Sequence, residues 1–184
     1  MSYKIDPRKQ INAVEARLAA GGDDAATRRN LRTMLVHMKA EATADFDALM
    51  ATVSPDAAYT SFNVGVDSPH SPRSKDAVAA YYRALVENHC HQIEHDLDRI
   101  VADRDNITTE GDIRIAYPAA ALRAMGHDVP EDAPYYLYEA RPMIVWGFDN
   151  DGLVKCEDSY GAMDGFAGIA TRPVQQSEIC TIAG

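Results

Sequence analysis

Apolar positions fall at helical spacing in the first half of the chain and alternate in the second. Asp6-Pro7 reads as an N-cap with proline in the first turn, and the helix it opens, residues 7–20, stops at Gly21-Gly22. In "DDAATRRNLRTMLVHMKAEA", Leu31, Met34, Leu35 and Met38 make one apolar stripe, which predicts a second, longer helix. "DFDALMATV" predicts a shorter helix closed by Ser54-Pro55, and "AAYTSF" a short strand. "SPHSPR" is a turn-rich loop, after which Ser74 caps the helix "KDAVAAYYRALVEN". Beyond it the period drops to two. "IEHDLDRIVAD" and "NITTEGDIRIAY" are strands around a tight polar turn. "PAAALRAMGHDVPEDAP" reads as one or two helical turns and a proline-bracketed loop. "YYLYEARPMIVWGF" and "LVKCEDSY" form a hairpin across "DNDG". With neither repeat nor linker, residues 1–184 are expected to form a single α+β domain, helices first and an antiparallel sheet after them.

Composition narrows the class. Hydrophobic residues make up 46% of 184, which suits a folded chain with a sizeable core. A formal net charge of -10 repels phosphate backbones, so no nucleic-acid partner is expected. No apolar run reaches membrane-spanning length, and the N-terminus shows no signal peptide. The expectation is a cytoplasmic protein with no membrane partner. Three scattered cysteines, Cys90, Cys156 and Cys180, suit reduced thiols better than a disulfide framework or a thiolate zinc site.

Three stretches carry a family resemblance. "DFDALMATVSPDAAYTSF", "SKDAVAAYYRALVENHCHQIEHDLDRIVADRDNITTEG" and "GFDNDGLVKCEDSYGAMD" resemble, in order and spacing, the successive elements of the nuclear transport factor 2-like superfamily over roughly residues 27–164. Residues 7–20 and 165–184 then extend that core. The resemblance implies a cone, or cystatin-like roll: a strongly curved antiparallel sheet wrapped around a long N-terminal helix, with a deep apolar pocket. Family members include ketosteroid isomerases, SnoaL-type polyketide cyclases, limonene epoxide hydrolases and scytalone dehydratase, and others only bind. Dimers or trimers are the family expectation. Fold alone leaves function open.

"NHCHQIEHDLDR" places His89, His91 and His95 among acidic residues and raises a metal site as one reading. On a strand, His91 and His95 stand roughly 13 Å apart. A zinc ion needs its ligand nitrogens at about 2 Å, so the expectation is no metal. Alternation puts His91, Ile93, His95, Leu97 and Arg99 on one face, taken as the inner one, and sends Glu94, Asp96 and Asp98 into solvent. His95 is thus either a general acid/base or a buried histidine satisfied by the backbone. By position the chain is most similar to scytalone dehydratase, a cofactor-free lyase. Its catalytic tyrosine sits in a stretch matched here by "YTSF", which gives Tyr59. His95 matches its first catalytic histidine, and Tyr117 stands where its second would be. Arg141 and Met143 replace two small polar side chains, and Glu41 replaces a tyrosine. Tyr59 and Tyr117 could bind a substrate oxygen or be ordinary aromatic core. Arg141 could pair with Glu139, Glu41 or Glu157, or hold a phenolate or carboxylate. His37 and Glu41, at i and i+4, line the pocket mouth or make a surface pair. Met34, Met38, His91, Met143, Leu122 and Ser159 complete the candidate substrate-binding set, with Asp158 and Ser159 competing for the inner face. Residues 118–134 are a lid or a subunit contact.

These residues predict a cofactor-free lyase, a dehydratase or C–C lyase. Its substrate would be a hydrophobic, phenolic or otherwise aromatic small molecule, lignin-derived dimers included, as in aromatic catabolism. The alternatives are a SnoaL-like cyclase or ketosteroid-type isomerase, which requires an inward carboxylate base, and a non-catalytic ligand-binding domain.

Overall fold

Three of the helices open on a side chain that satisfies an otherwise unpaired amide. Asp24 accepts from the Thr27 amide at 2.8 Å and opens α2 (Ala25–Ala42); Asp45 opens α3 (Phe46–Ala51) and Ser74 opens α4 (Lys75–Glu87) in the same way. The preceding helix, α1 (Arg8–Ala20), differs: Pro7 itself takes the N-cap position, and Asp6 accepts from the Arg8 amide and guanidinium. Gly21 and Gly22 end α1 with positive φ, a conformation glycine adopts without penalty. The structure, a computed structural model, describes residues 3–182 apart from Val66, Pro69 and Ala162. Among them no helix is long and apolar enough to cross a membrane.

The strands are β1 (Thr60–Ser61), β2 (Ile93–Ala102), β3 (Asn106–Pro118), β4 (Tyr135–Ala140), β5 (Met143–Phe148), β6 (Val154–Tyr160) and β7 (Pro173–Val174), with a short helix α5 (Ala119–Ala124) after β3. They form one mixed, curled, open sheet in the order β1-β6-β5-β3-β4-β7, with β2 on the other edge of β3. Among the pairings of these strands, β1–β6 is parallel and the rest are antiparallel. The strand expected over residues 57–62 shrinks to two residues, because the Ala58 and Tyr59 amides bond to Lys155 and Pro72 instead.

One line of residues across the sheet explains its curl. On β2 the register shifts between Leu97 and Arg99. Beside it on β3 lies Gly111, where a Cβ would run into the Asp96 carbonyl. Across β3, Pro142 cannot donate to the ladder and divides the stretch expected to be one strand, 135–148, into β4 and β5. The bulge also reverses the face of the residues after it. Leu97 packs toward the core, but so do Ile100 and Ala102, while Arg99 points outward. The expected inward Arg99 is therefore wrong, since period-two alternation does not survive a bulge.

The main core fills the cone. Leu31, Met34 and Met38 from α2, Leu49 from α3, Val78 and Tyr82 from α4, and Ile107, Trp146 and Val154 from the sheet pack together there. α1 lies against β2, and the Gln10 side chain accepts the His95 amide at 2.7 Å, covering an edge that would otherwise be open. This helix also overturns the expected solvation of Glu94. That residue is on the outer face but only 1% exposed, held by Lys9 at 3.0 Å, Arg114 at 2.7 Å and the Asp6 amide at 2.7 Å.

Candidate active site

The inner face of the curled sheet, α2 and α4 enclose a cavity of about 220 Å3. Period-two alternation on each side of the bend sets its walls. β3 contributes Ile113, Ile115 and Tyr117; β4 and β5 contribute Tyr138, Ala140, Ile144 and Trp146; β6 contributes Glu157 and Ser159. From the helices come Met38, Glu41, Tyr81 and Tyr82. The lining is largely apolar and, among the described residues, includes neither lysine nor arginine.

Two carboxylates face this space. Glu157 Oε1 accepts the Tyr82 hydroxyl at 2.8 Å and lies 3.0 Å from His37 Nε2. His37 is fully buried. Its Nδ1 lies 2.7 Å from the Thr52 hydroxyl oxygen, whose own proton goes to the Leu49 carbonyl at 2.6 Å. Thr52 can therefore only accept, so Nδ1 carries a hydrogen. Nε2 also lies 2.9 Å from the Tyr82 oxygen, which has already donated to Glu157. Both ring nitrogens thus face acceptors. Burial is the largest influence and would lower the pKa of His37, but the charge and hydrogen bond of Glu157, with the Glu41 charge, together outweigh it, and the net shift is upward. Glu41 stands one turn along α2. No side chain among the described residues hydrogen-bonds it, and burial together with the Glu157 charge pushes its carboxyl up to about 7.

Two further polar groups on the wall have no protein partner. The Tyr59 hydroxyl is buried and unbonded, and its pKa is raised by burial and by Glu157. His95 is 3% exposed, with an unpartnered Nε2; burial pulls its pKa down to about 4, against the opposing pull of Asp112 and Asp96. At neutral pH it is an uncharged ring. Buried polar atoms are almost always paired, so these two orphans, lining one cavity, are free to bond a ligand.

The structure brings Tyr59, His95, Tyr117, Glu41, Met38 and Ser159 to the cavity. Ser159, and not Asp158, takes the inward position on β6. Other candidates lie elsewhere. Arg141 is on the outer face at the bend, within 3.1 Å of Asp98, Glu110 and Asp112, because Ala140 and Pro142 take the inward phase. Met143 shares that outward phase and is 41% exposed. Met34 is core, and His37 is neither at a mouth nor on the surface. His91 is half-buried and off the cavity wall. Leu122 packs with Ala119, Val129, Tyr136 and Ile169, giving residues 118–134 a small core of their own. Among the described residues no group of three His, Cys, Asp or Glu side chains could share a metal ion.

The residues that sequence reasoning missed are Glu157 and Tyr82. Glu157 has the same parity as Ser159 and stands opposite Trp146 in the ladder. A signal was therefore present: the tryptophan's inward phase fixes that of its cross-strand partner.

The SnoaL-like domain model matches residues 34–155, well over half of the sequence. The chain belongs to the SnoaL-like domain family. Its fold is shared with a protein described as a SnoaL-like polyketide cyclase from Shewanella putrefaciens (9% identity, 86% of this chain and 93% of that one, TM-score 0.64). It is shared also with a protein described as an LEH-like epoxide hydrolase from M. tuberculosis (18% identity, 79% and 92%, TM-score 0.57). A computationally designed 17-OHP binder is similar too (12% identity, 74% and 95%, TM-score 0.57). No curated protein matches the sequence. At these identities the SnoaL-like chain shares a cone with its neighbours, and its chemistry has to be read from its own cavity.

Proposed function

We propose that this SnoaL-like protein is a general acid–base enzyme acting on a hydrophobic carbonyl compound, with Glu41 as the proton carrier. One observation supports this reading above the others: two carboxylates face an apolar cavity whose described lining has no arginine or lysine. A base works best with a pKa near the operating pH, and Glu41 is pushed up to about 7. In its ionised form it takes a proton from the carbon next to the carbonyl, and the C–H electron pair moves into the enolate. In this scheme Tyr59 or the neutral His95 ring, both without protein partners, hydrogen-bonds the developing oxyanion. Glu157, fixed by Tyr82 and His37, holds Glu41 in its raised range.

The enolate has two productive fates. Return of the proton at another carbon gives an isomer, and attack on a second carbonyl of the same molecule closes a ring. With a hydroxyl on the β-carbon, the same abstraction followed by protonation and loss of that hydroxyl is a dehydration, so the lyase reading uses the same base. A phenolate anchored by Arg141 is no part of this scheme, because Arg141 is outside the cavity. The test is exchange of the methyl protons of 4-hydroxyacetophenone with deuterium in D2O, followed by NMR. Protein-accelerated exchange that disappears in Glu41→Gln is the expected result, and exchange equal to the protein-free rate would sink the proposal.

A further inference from the structure

Beside the cavity runs a second, larger space of about 710 Å3 between α4 and α5. Its walls are alanines at helical spacing, Ala77, Ala80 and Ala84 on α4 and Ala121 and Ala124 on α5, with Met125 at the rim. Small side chains on both facing helices leave a groove where larger ones would have closed the contact. It adjoins the inner cavity across a shared wall. His70, Pro72, Tyr81, Leu85, Cys90 and Tyr117 line both spaces. Its only fully charged lining residue among those described is Arg73, whose guanidinium donates to Thr60 at 2.8 Å.

Volume decides what each part can hold. Sites for drug-sized ligands measure about 300–1,000 Å3. The inner cavity, at about 220 Å3, falls short of that range and takes one ring or its equivalent. The groove falls within it. We infer that the substrate is a two-part molecule: a carbonyl-bearing head seated in the inner cavity against Glu41, and an apolar arm leaving past Tyr81 and Tyr117 to lie in the alanine groove. This rests on the proton-transfer reading for the head and adds the arm, and with it the size and polarity of the substrate class. The groove alanines and Met125 are then the specificity determinants, and Leu85, Cys90 and Tyr117 form the neck.

Two ketones test it: 4-hydroxyacetophenone, and the same ketone carrying a benzyl group on its α-carbon. Binding is followed by the fluorescence of Trp146, the chain's single tryptophan, which lies on the cavity wall. The benzyl compound is expected to bind at least tenfold tighter to the wild type. Ala84→Phe and Ala124→Phe fill the groove from opposite sides at exposed positions, where folding is least at risk. Each should bring the affinity ratio to within about twofold of unity. A ratio near one in the wild type, a ratio that survives both substitutions, or binding of neither ketone overturns the inference. Glu41→Gln separates the two claims. Exchange that persists in that variant removes the proton-transfer reading, while the affinity ratio still decides the groove.

Discussion

Glu94 is wholly and Glu41 partly withdrawn from solvent, and they sit on opposite sides of the same sheet in opposite company. Glu94, on the outer face, is clasped by Lys9, Arg114 and the Asp6 amide. Glu41, inside, has a second carboxylate and His37 as its charged neighbours, and burial with that carboxylate holds its proton up to about neutral pH. Burial between strong cations makes a structural joint; burial beside a like charge stores a reactive group at a cost to stability. The outer face uses Lys9 and Arg114 to hold α1 and its own strands together, and the described lining of the inner cavity has neither lysine nor arginine.

The largest effect should come from removing the inner carboxylate. Glu41→Gln is expected to lower α-proton exchange by about 100- to 10,000-fold while leaving the melting temperature at or above that of the wild type. Next is the outer joint. Arg114→Met strips a partner from the buried Glu94 and should destabilise the fold by about 2 kcal/mol in urea titrations, with exchange retained. Retained stability in Arg114→Met, or exchange lost with it, would erase the contrast between the faces.

The pH dependence sharpens the contrast further. The native value for Glu41, about 7, lies above the 4.5 of an ordinary glutamate, so between those values the folded protein keeps a proton that the unfolded chain releases. Its contribution to stability is complete below about pH 4.5 and is lost as pH rises through 7. With allowance for its partial exposure, that loss is about 1–2 kcal/mol, measurable by denaturation at successive pH values and absent in Glu41→Gln. Exchange should run the other way, rising with pH as the base ionises. The smallest effect belongs to Arg141→Gln. Its ion pairs with Asp98, Glu110 and Asp112 lie at the surface, so the melting temperature should fall far less than in Arg114→Met and the exchange rate should not change.

Much of the architecture was legible because it rests on local chemistry. Ser74 announces its helix by capping and Gly21-Gly22 announces an end, while the Asp24 and Asp45 caps show only in the structure. Tyr59 and His95 reached the cavity wall as their positions in the chain implied. Arg141, Met143 and Arg99 did not, because each depends on the phase of a strand near the bend, and phase there is set by Pro142, Gly111 and the β2 bulge acting together. Met34 and Leu122 were correctly apolar but serve as core.

The sequence by itself determined the helices, the strands, the family and a short set of polar residues that could do chemistry. Those follow from periodicity, capping and side-chain type, each fixed within a few residues of chain. Only the tertiary structure decided which carboxylates are alone. Glu41, on a helix, meets Glu157, on the last long strand, across more than a hundred residues of chain. Whether a buried acid is a joint or a base depends on what else reaches it there. The outward phase of β3 and the docking of α1 bring Arg114 and Lys9 to Glu94, while Glu41 faces the inner cavity.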